Sequence, residues 1–193
     1  MAICNNEVVD AGIAADGKPN NVATFGIVGI FILEALVSEN LVTTTLPEAR
    51  PDGLEDRALA LIGQWEFSAG QNELTIGFPC TITGNKFYGK GLSALVQVME
   101  VPVSANWRLR FERLFYTQNY CNHFGARGDR GATVNLVGSA AVVMGNQVKG
   151  DIRRPSIDLN NMAGTVVGNI TSGDIINDPN FPANEIQFNR RLQ

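Results

Sequence analysis

The sequence predicts an all-β protein: an antiparallel β-barrel or sandwich of about eight to nine short strands, with one short helix and an N-terminal arm. Trp107, Leu109 and Phe111 alternate with charged residues, so an extended chain would place three large apolar side chains on one face. The same alternation recurs over residues 74–83 and 134–144. Twenty glycines among 193 residues supply turns between short strands.

The N-terminal part is predicted to be an arm with an apolar segment, over residues 1–53, in front of a β domain over residues 54–193. Residues 22–37 are mostly apolar but contain glycines and Glu34. Their length of about 16 residues is below the roughly 20 that a membrane span needs, so no span is expected. Within this segment the pattern favours a buried strand at first and a helix over residues 33–36.

The strongest helix signal lies over residues 52–63. Asp52 and Glu55 have the spacing of a capping box, and apolar residues recur at helical spacing until Gly63. The sequence therefore predicts a helix of about ten residues that leads into the β domain.

Beyond this helix the pattern predicts strands joined by turns. The pairs Gly84-Asn85 and Gly145-Asn146 are typical of hairpins. Residues 117–131 are polar and glycine-rich and are predicted to form a long loop. We find no period that would mark an internal repeat.

The strand around Trp107 is expected to carry an irregularity. Arg113 brings a charge to the face that the apolar residues before it occupy. We therefore expect a β-bulge near Arg113, after which Phe115 returns to the inner face.

The composition excludes several classes of function. A hydrophobic fraction of 45% with 18% charged residues is typical of a folded protein. A net charge of -4 means that the chain has no excess of positive charge with which to bind a polyanion, so nucleic acid is not an expected partner. No secretion signal is visible, which predicts synthesis in the cytoplasm. Because phosphate-binding glycine loops and hydrolase motifs are absent from the sequence, no cofactor is expected.

The main candidates for chemistry are the charges that alternate with the apolar residues of the Trp107 strand. If the sheet closed into a barrel with Arg108, Arg110 and Glu112 inside, they would join Glu100 in a charged interior able to polarise a substrate. The simpler interpretation places these charges outside, as in most antiparallel sheets, and assigns no catalytic residue.

Cys121 and His123 form a second candidate pair, with Cys80 as a further metal ligand. Residues two apart on a strand share a face, but their side chains stand roughly 6 to 7 Å apart, too far for direct activation of a thiolate. We therefore expect packed residues here and no metal site.

Two short patterns are weaker candidates. Arg127-Gly128-Asp129 matches the tripeptide that integrins bind, although an exposed turn explains it equally well. A group of carboxylates and amides near the C-terminus could supply oxygen ligands to calcium, but Asx turns account for it too; the group comprises Asp174, Asn177, Asp178 and Asn180.

The first functional hypothesis is a structural subunit of a homo-oligomeric assembly, of the virion type found in capsid surfaces, decoration proteins or tail tubes. Its partners would be copies of the chain and other assembly subunits, and it would be made in the cytoplasm and incorporated in a virion. The alternative is a small β-barrel that binds an apolar molecule, as an isomerase or cyclase, through the Arg108 cluster. A third hypothesis is a lectin-like surface, with Trp65 or Tyr88 as a stacking platform.

Overall fold

The computed structural model describes residues 1–11, 25–30, 34–46, 56–63, 77–100, 110–124, 131–137, 140–160, 163–177 and 185–192. These residues form 20 β-strands in three sheets and contain no helix. Sheet 1 consists of β1 (Ala2–Cys4), β4 (Ala35–Ser38), β7 (Gly77–Thr83), β10 (Arg110–Thr117), β13 (Ala140–Met144), β16 (Ala163–Val167) and β19 (Glu185–Gln187). Sheet 2 consists of β2 (Glu7–Val9), β5 (Leu41–Thr45), β8 (Lys86–Lys90), β11 (Tyr120–Phe124), β14 (Gln147–Lys149), β17 (Ile170–Thr171) and β20 (Arg190–Arg191). Sheet 3 consists of β3 (Phe25–Ile30), β6 (Arg57–Gly63), β9 (Val96–Glu100), β12 (Val134–Val137), β15 (Ile157–Asn160) and β18 (Ile175–Asn177).

The three sheets are the sides of a parallel β-helix. The chain visits sheets 1, 2 and 3 in that order, and each round is one coil. Each strand pairs in parallel with the strand one coil before or after it. The predicted antiparallel barrel or sandwich is therefore wrong, because consecutive strands never pair with each other in the described residues but lie in different sheets.

The interior is filled by side chains that stack from coil to coil. In sheet 1 one such column contains Val37, Ile82, Tyr116 and Val143, all with no exposed surface. Sheets 2 and 3 contribute equivalent columns, which contain Val42, Phe87, Cys121 and Val148 in sheet 2 and Leu59, Val96, Val134 and Ile157 in sheet 3. These stacked residues bury the apolar surface that drives folding.

The turn between sheets 1 and 2 has the same form in every coil. Two residues separate the strands, and the second is always an asparagine: Asn6, Asn40, Asn85, Asn119, Asn146, Asn169 and Asn189. The Oδ1 atom of each one from Asn40 onwards accepts both the backbone N–H and the Nδ2–H of the asparagine one coil earlier, at 2.8–3.1 Å. We call this row the asparagine ladder.

The residue before each ladder asparagine has a left-handed backbone. Its φ lies between 53° and 67° in all seven turns, whether the residue is a glycine, as at Gly145, or a larger residue such as Gln118. This conformation turns the chain sharply and allows the asparagine side chain to point along the stack.

The ladder shows that the chain is a repeat protein whose coils differ in length. Successive ladder asparagines are 34, 45, 34, 27, 23 and 20 residues apart. The expectation that there is no repeat is therefore wrong, and unequal coil length is the reason that a search for a fixed period fails.

The helix predicted over residues 52–63 is not formed in its described part, since Arg57–Gly63 is strand β6. Four consecutive residues of this strand are buried, namely Ala58, Leu59, Ala60 and Leu61. Because both sides of the strand are covered, its sequence lacks the alternation of apolar and polar residues by which a strand is recognised. Residues 52–55 lie outside the described residues. Similarly, Ala35–Ser38 is strand β4 instead of the continuation of a helix. The strand predicted before it is present as β3, but only one side of it is buried, since Ile27 is in the core and Val28 is 43% exposed.

The predicted turns are present, but they do not close hairpins. Gly84-Asn85 and Gly145-Asn146 lie between strands of different sheets, because both pairs are ladder turns. The long loop predicted over residues 117–131 contains strand β11, and residues 125–130 lie outside the described part of the chain.

The predicted irregularity near Arg113 is confirmed. The register between β10 and β7 shifts between Arg110 and Arg113. The placement of Phe115 inside is wrong, because Leu114 and Tyr116 are fully buried while Phe115 is 39% exposed. Trp107 and Leu109 lie outside the described residues.

The described parts of residues 1–53 belong to the same three sheets as the rest of the chain. Strands β1, β2 and β3 pair with β4, β5 and β6, respectively. Among the described residues there is no helix long and apolar enough to cross a membrane.

Candidate functional site

The residues of the predicted charged interior are divided between two sheets. Arg110 and Glu112 lie on β10 in sheet 1, and Glu100 ends β9 in sheet 3. The described part of the structure includes the backbone of these three residues but not their side chains, and Arg108 lies outside it. Their role as a cluster therefore stays a prediction. The closed barrel on which the isomerase or cyclase hypothesis depends is not formed, because the described strands lie in three parallel sheets.

Cys121 and His123 point into the interior from β11 and have different hydrogen-bond partners. The Sγ atom of Cys121 lies 3.2 Å from the hydroxyl oxygen of Tyr116. The Nε2 atom of His123 lies 3.0 Å from the carbonyl oxygen of Leu92. The pair is therefore packed into the core with no hydrogen bond described between its members.

The pKa values of these groups differ from those at an activated thiol, where the pKa of the cysteine is lowered. Burial raises the pKa of Cys121 to about 12, although the hydrogen bond between Cys121 and Tyr116 acts in the other direction. Burial lowers the pKa of His123 to about 4, against the effect of the bond to Leu92. Burial likewise raises the pKa of Cys80 to about 12. At neutral pH both thiols are protonated and the imidazole is neutral, which suits a structural role.

The remaining sequence candidates are only partly described. Asp174 accepts a hydrogen bond from Arg191 at 2.6 Å, and Asn177 ends strand β18. Asp178, Asn180, Trp65 and the tripeptide 127–129 lie outside the described residues. No group of three or more potential metal ligands occurs within the described ranges.

The outer face of sheet 1 carries exposed apolar side chains among threonines such as Thr81. Its exposed large side chains are Leu36, Phe115 and Met144, with Val142 half-buried between the last two. Among the described side chains of β4 to β16, Arg113 is the one charged group on this face. A shallow cavity of about 160 Å³ lies beside Phe115. We call this surface the apolar face.

The outer face of sheet 2 is cationic and aromatic over β8, β11 and β14, whereas its first coil carries Glu7. Lys86 and Lys90 flank Tyr88 on β8, and all three point outwards because Phe87 and Gly89 between them are buried. In the next coil Tyr120 lies beside Lys86, and its ring centroid is 5.5 Å from that of Tyr88. One coil further on, the Nζ atom of Lys149 lies 5.6 Å from the centroid of the Tyr120 ring. We call this surface the lysine-tyrosine face.

A groove of about 700 Å³ borders the lysine-tyrosine face where sheet 2 ends. Asn122 and Lys149 belong to both the face and the groove. Phe124 and Ile152, both more than half exposed, form an apolar wall of the groove. The groove therefore combines apolar surface with hydrogen-bonding groups, as ligand sites do.

Sequence reasoning found one residue of this surface, Tyr88, and missed Tyr120 and Lys149. These residues come from three coils and are 61 positions apart from first to last. Only the register that the asparagine ladder sets brings them together. Aligning the sequence on the pairs Gly84-Asn85, Gln118-Asn119 and Gly145-Asn146 would have placed Lys86, Tyr120 and Gln147 in one row.

Comparisons of the chain with protein-family models, with curated proteins and with solved structures found no match.

Proposed function

We propose that the protein is a structural subunit of a homo-oligomeric assembly, of the virion type predicted from the sequence, and that its copies associate through the apolar face. The observation that carries this proposal is the exposure of Leu36, Phe115 and Met144 on one side of the same sheet. Phe115 adjoins Val142, and the methyl-bearing Thr81 lies between Phe115 and Leu36. Exposed apolar side chains grouped on one surface are typical of protein contact sites.

A second copy of the chain is the partner best suited to this face. Each copy has a net charge of -4, so copies repel one another on approach. The apolar face is nearly free of charge among its described side chains, and two such faces can meet without placing like charges together.

The shape of the face also favours packing between copies. Its side chains stand in rows, because strand follows strand in parallel register at a spacing of about 4.8 Å. Small residues, such as Ala140 and Ala163, lie beside Phe115 and leave the shallow cavity there. A large side chain from the facing copy can enter this cavity, as in the packing of two sheets.

The test is the mass of the protein in solution, measured by sedimentation and light scattering at micromolar concentration. We expect an oligomer, and we expect Phe115→Glu to weaken association at least about tenfold, because it places charge in the contact. Val9→Glu, at an exposed apolar residue of sheet 2, is the matched control and should assemble like the wild type.

A wild-type chain that stays monomeric would overturn the proposal, as would equal effects of the two substitutions. Circular dichroism of both variants checks that the fold is retained. Electron microscopy addresses the virion-type part separately: tubes or shells of regular diameter support it, and small closed oligomers contradict it.

A further inference from the structure

We propose that the lysine-tyrosine face binds an anionic polysaccharide, with Tyr88 and Tyr120 as the platform for sugar rings and Lys86, Lys90 and Lys149 as partners of its carboxylate or sulfate groups. This binding site lies on a different sheet from the apolar face and does not depend on the assembly proposed above. It develops the lectin-like hypothesis that Tyr88 suggested in the sequence.

The first argument is the separation of charge over the molecule. The chain has a net charge of -4, yet the outward positions of β8, β11, β14, β17 and β20 carry no carboxylate. The cations at those positions are Lys86, Lys90, Lys149 and Arg190. Glu7 lies two coils before Lys86, and Asp151 of the bordering groove is paired with Arg153. A cationic surface on an acidic protein attracts anionic groups locally while the rest of the molecule does not.

The second argument is the position of the aromatic rings among the lysines. Tyr88 lies between Lys86 and Lys90 in one coil, and Tyr120 lies in the next. Both tyrosines are half-buried, so their rings are held in place with part of their surface open. The negative face of an aromatic ring attracts the C–H groups of a sugar as it attracts the ammonium group of Lys149.

The third argument is the regular spacing of groups. Lys86 and Lys149 are two coils apart, or roughly 10 Å along the stack. Asn122 lies between Tyr88 and Lys149 in the same row and offers an amide to sugar hydroxyl groups. Lys86 and Lys149 lie in neighbouring rows, with the rings and the amide between them. This arrangement suits a linear chain of charged sugars that crosses the two rows.

A nucleic acid fits this face less well. Three lysines and one arginine would neutralise few phosphates, whereas binding to nucleic acid depends mainly on many such contacts. The rings of Tyr88 and Tyr120 are inclined at 42° and lie against each other. They therefore leave no slot in which a base could stack between them.

The experiment measures binding of alginate oligosaccharides, which are linear chains of uronic acids, by isothermal titration calorimetry with the full chain. Neutral dextran oligosaccharides and single-stranded oligothymidylate serve as comparison ligands. We expect saturable binding of alginate, no binding of dextran and clearly weaker binding of oligothymidylate.

The variants distinguish a built site from general attraction of anions. We expect Tyr120→Ala and Lys149→Ala each to weaken alginate binding about tenfold. Tyr120→Phe should bind nearly as well as the wild type, because the ring is kept. Arg113→Ala, which removes a cation from sheet 1, should bind as the wild type does. Thermal unfolding of each variant checks that it is folded.

Three outcomes would overturn the proposal. The first is the absence of alginate binding at millimolar concentration. The second is equal or tighter binding of oligothymidylate, which would indicate a nucleic-acid surface. The third is equal loss of binding in Arg113→Ala and Lys149→Ala, which would show attraction by charge without a site. None of these outcomes bears on the oligomeric state.

Discussion

The buried imidazole of His123 links the stability of the protein to pH. Burial lowers its pKa from 6.5 to about 4, and the positive charges of Arg154 and Arg57 act in the same direction. Between these two pH values the unfolded chain binds a proton that the folded chain does not. The contribution to stability is therefore complete above pH 6.5 and is lost as the pH falls towards 4.

We expect the free energy of unfolding to fall by about 3 kcal/mol from this group alone between pH 7 and pH 4. Urea denaturation at a series of pH values measures it. His123→Gln keeps a donor near the Leu92 carbonyl but cannot titrate, so its stability should depend less on pH by that amount. Equal pH dependence of the two proteins would contradict the assignment. Because His123 is the only histidine in the chain, no other imidazole contributes to the difference between the two proteins.

Gly145 tests the backbone of the ladder turn separately from its packing. Its φ is 67°, and a methyl group added there would meet nothing closer than the Cγ atom of Gln118, at 3.8 Å. We therefore expect Gly145→Ala to lower the free energy of unfolding by about 1 kcal/mol, through backbone strain alone. Gln118→Ala is the control, because that residue already has a side chain at φ 56°. A loss of similar size in both variants would show that strain is not the cause.

At the scale of the element, the asparagine ladder fixes the relative position of the coils. Asn119 is buried and stands in the middle of the row. Its Oδ1 atom accepts two hydrogen bonds from Asn85, and its Nδ2 atom donates to Ile82 and Asn146. Removing this side chain leaves several buried polar groups of its neighbours without that partner.

We expect Asn119→Ala to lower the free energy of unfolding by about 3 kcal/mol, measured by chemical denaturation. Asn6→Ala is the matched control in the same type of turn. Asn6 is exposed at the first coil, where water can replace the lost bonds, so a loss below about 1 kcal/mol is expected. If the two variants were equally destabilised, burial of the ladder would not explain its contribution.

At the scale of the whole molecule, the sequence predicts the strands better than their arrangement. Strands are present within residues 134–144, but as β12 and β13 in two different sheets. The predicted inner face holds for Val134 and Leu136 and is wrong in β13, where Ala141 and Val143 are buried instead. The turns at Gly84 and Gly145 are visible in the chain and present in the structure. The direction of pairing is not visible. A strand with one side in the core and one in solvent alternates in the same way in a parallel coil and in an antiparallel hairpin.

The two candidate surfaces could not be predicted from the sequence for a related reason. The lysine-tyrosine face is assembled from several coils, and its two rings, Tyr88 and Tyr120, come from different ones. Neither residue belongs to a motif, because the neighbours that matter lie above and below it in the stack. Conversely, Cys121 and His123 are close in sequence, but each has a different buried hydrogen-bond partner.

The constancy of the ladder turn also bears on how such a chain can evolve. Coil length varies from 45 to 20 residues between successive ladder asparagines. The two residues between the strands of sheets 1 and 2 never vary in number. All differences in coil length therefore fall outside that turn. Insertions and deletions can accumulate in the other two connections of each coil without changing the register that aligns the apolar face and the lysine-tyrosine face.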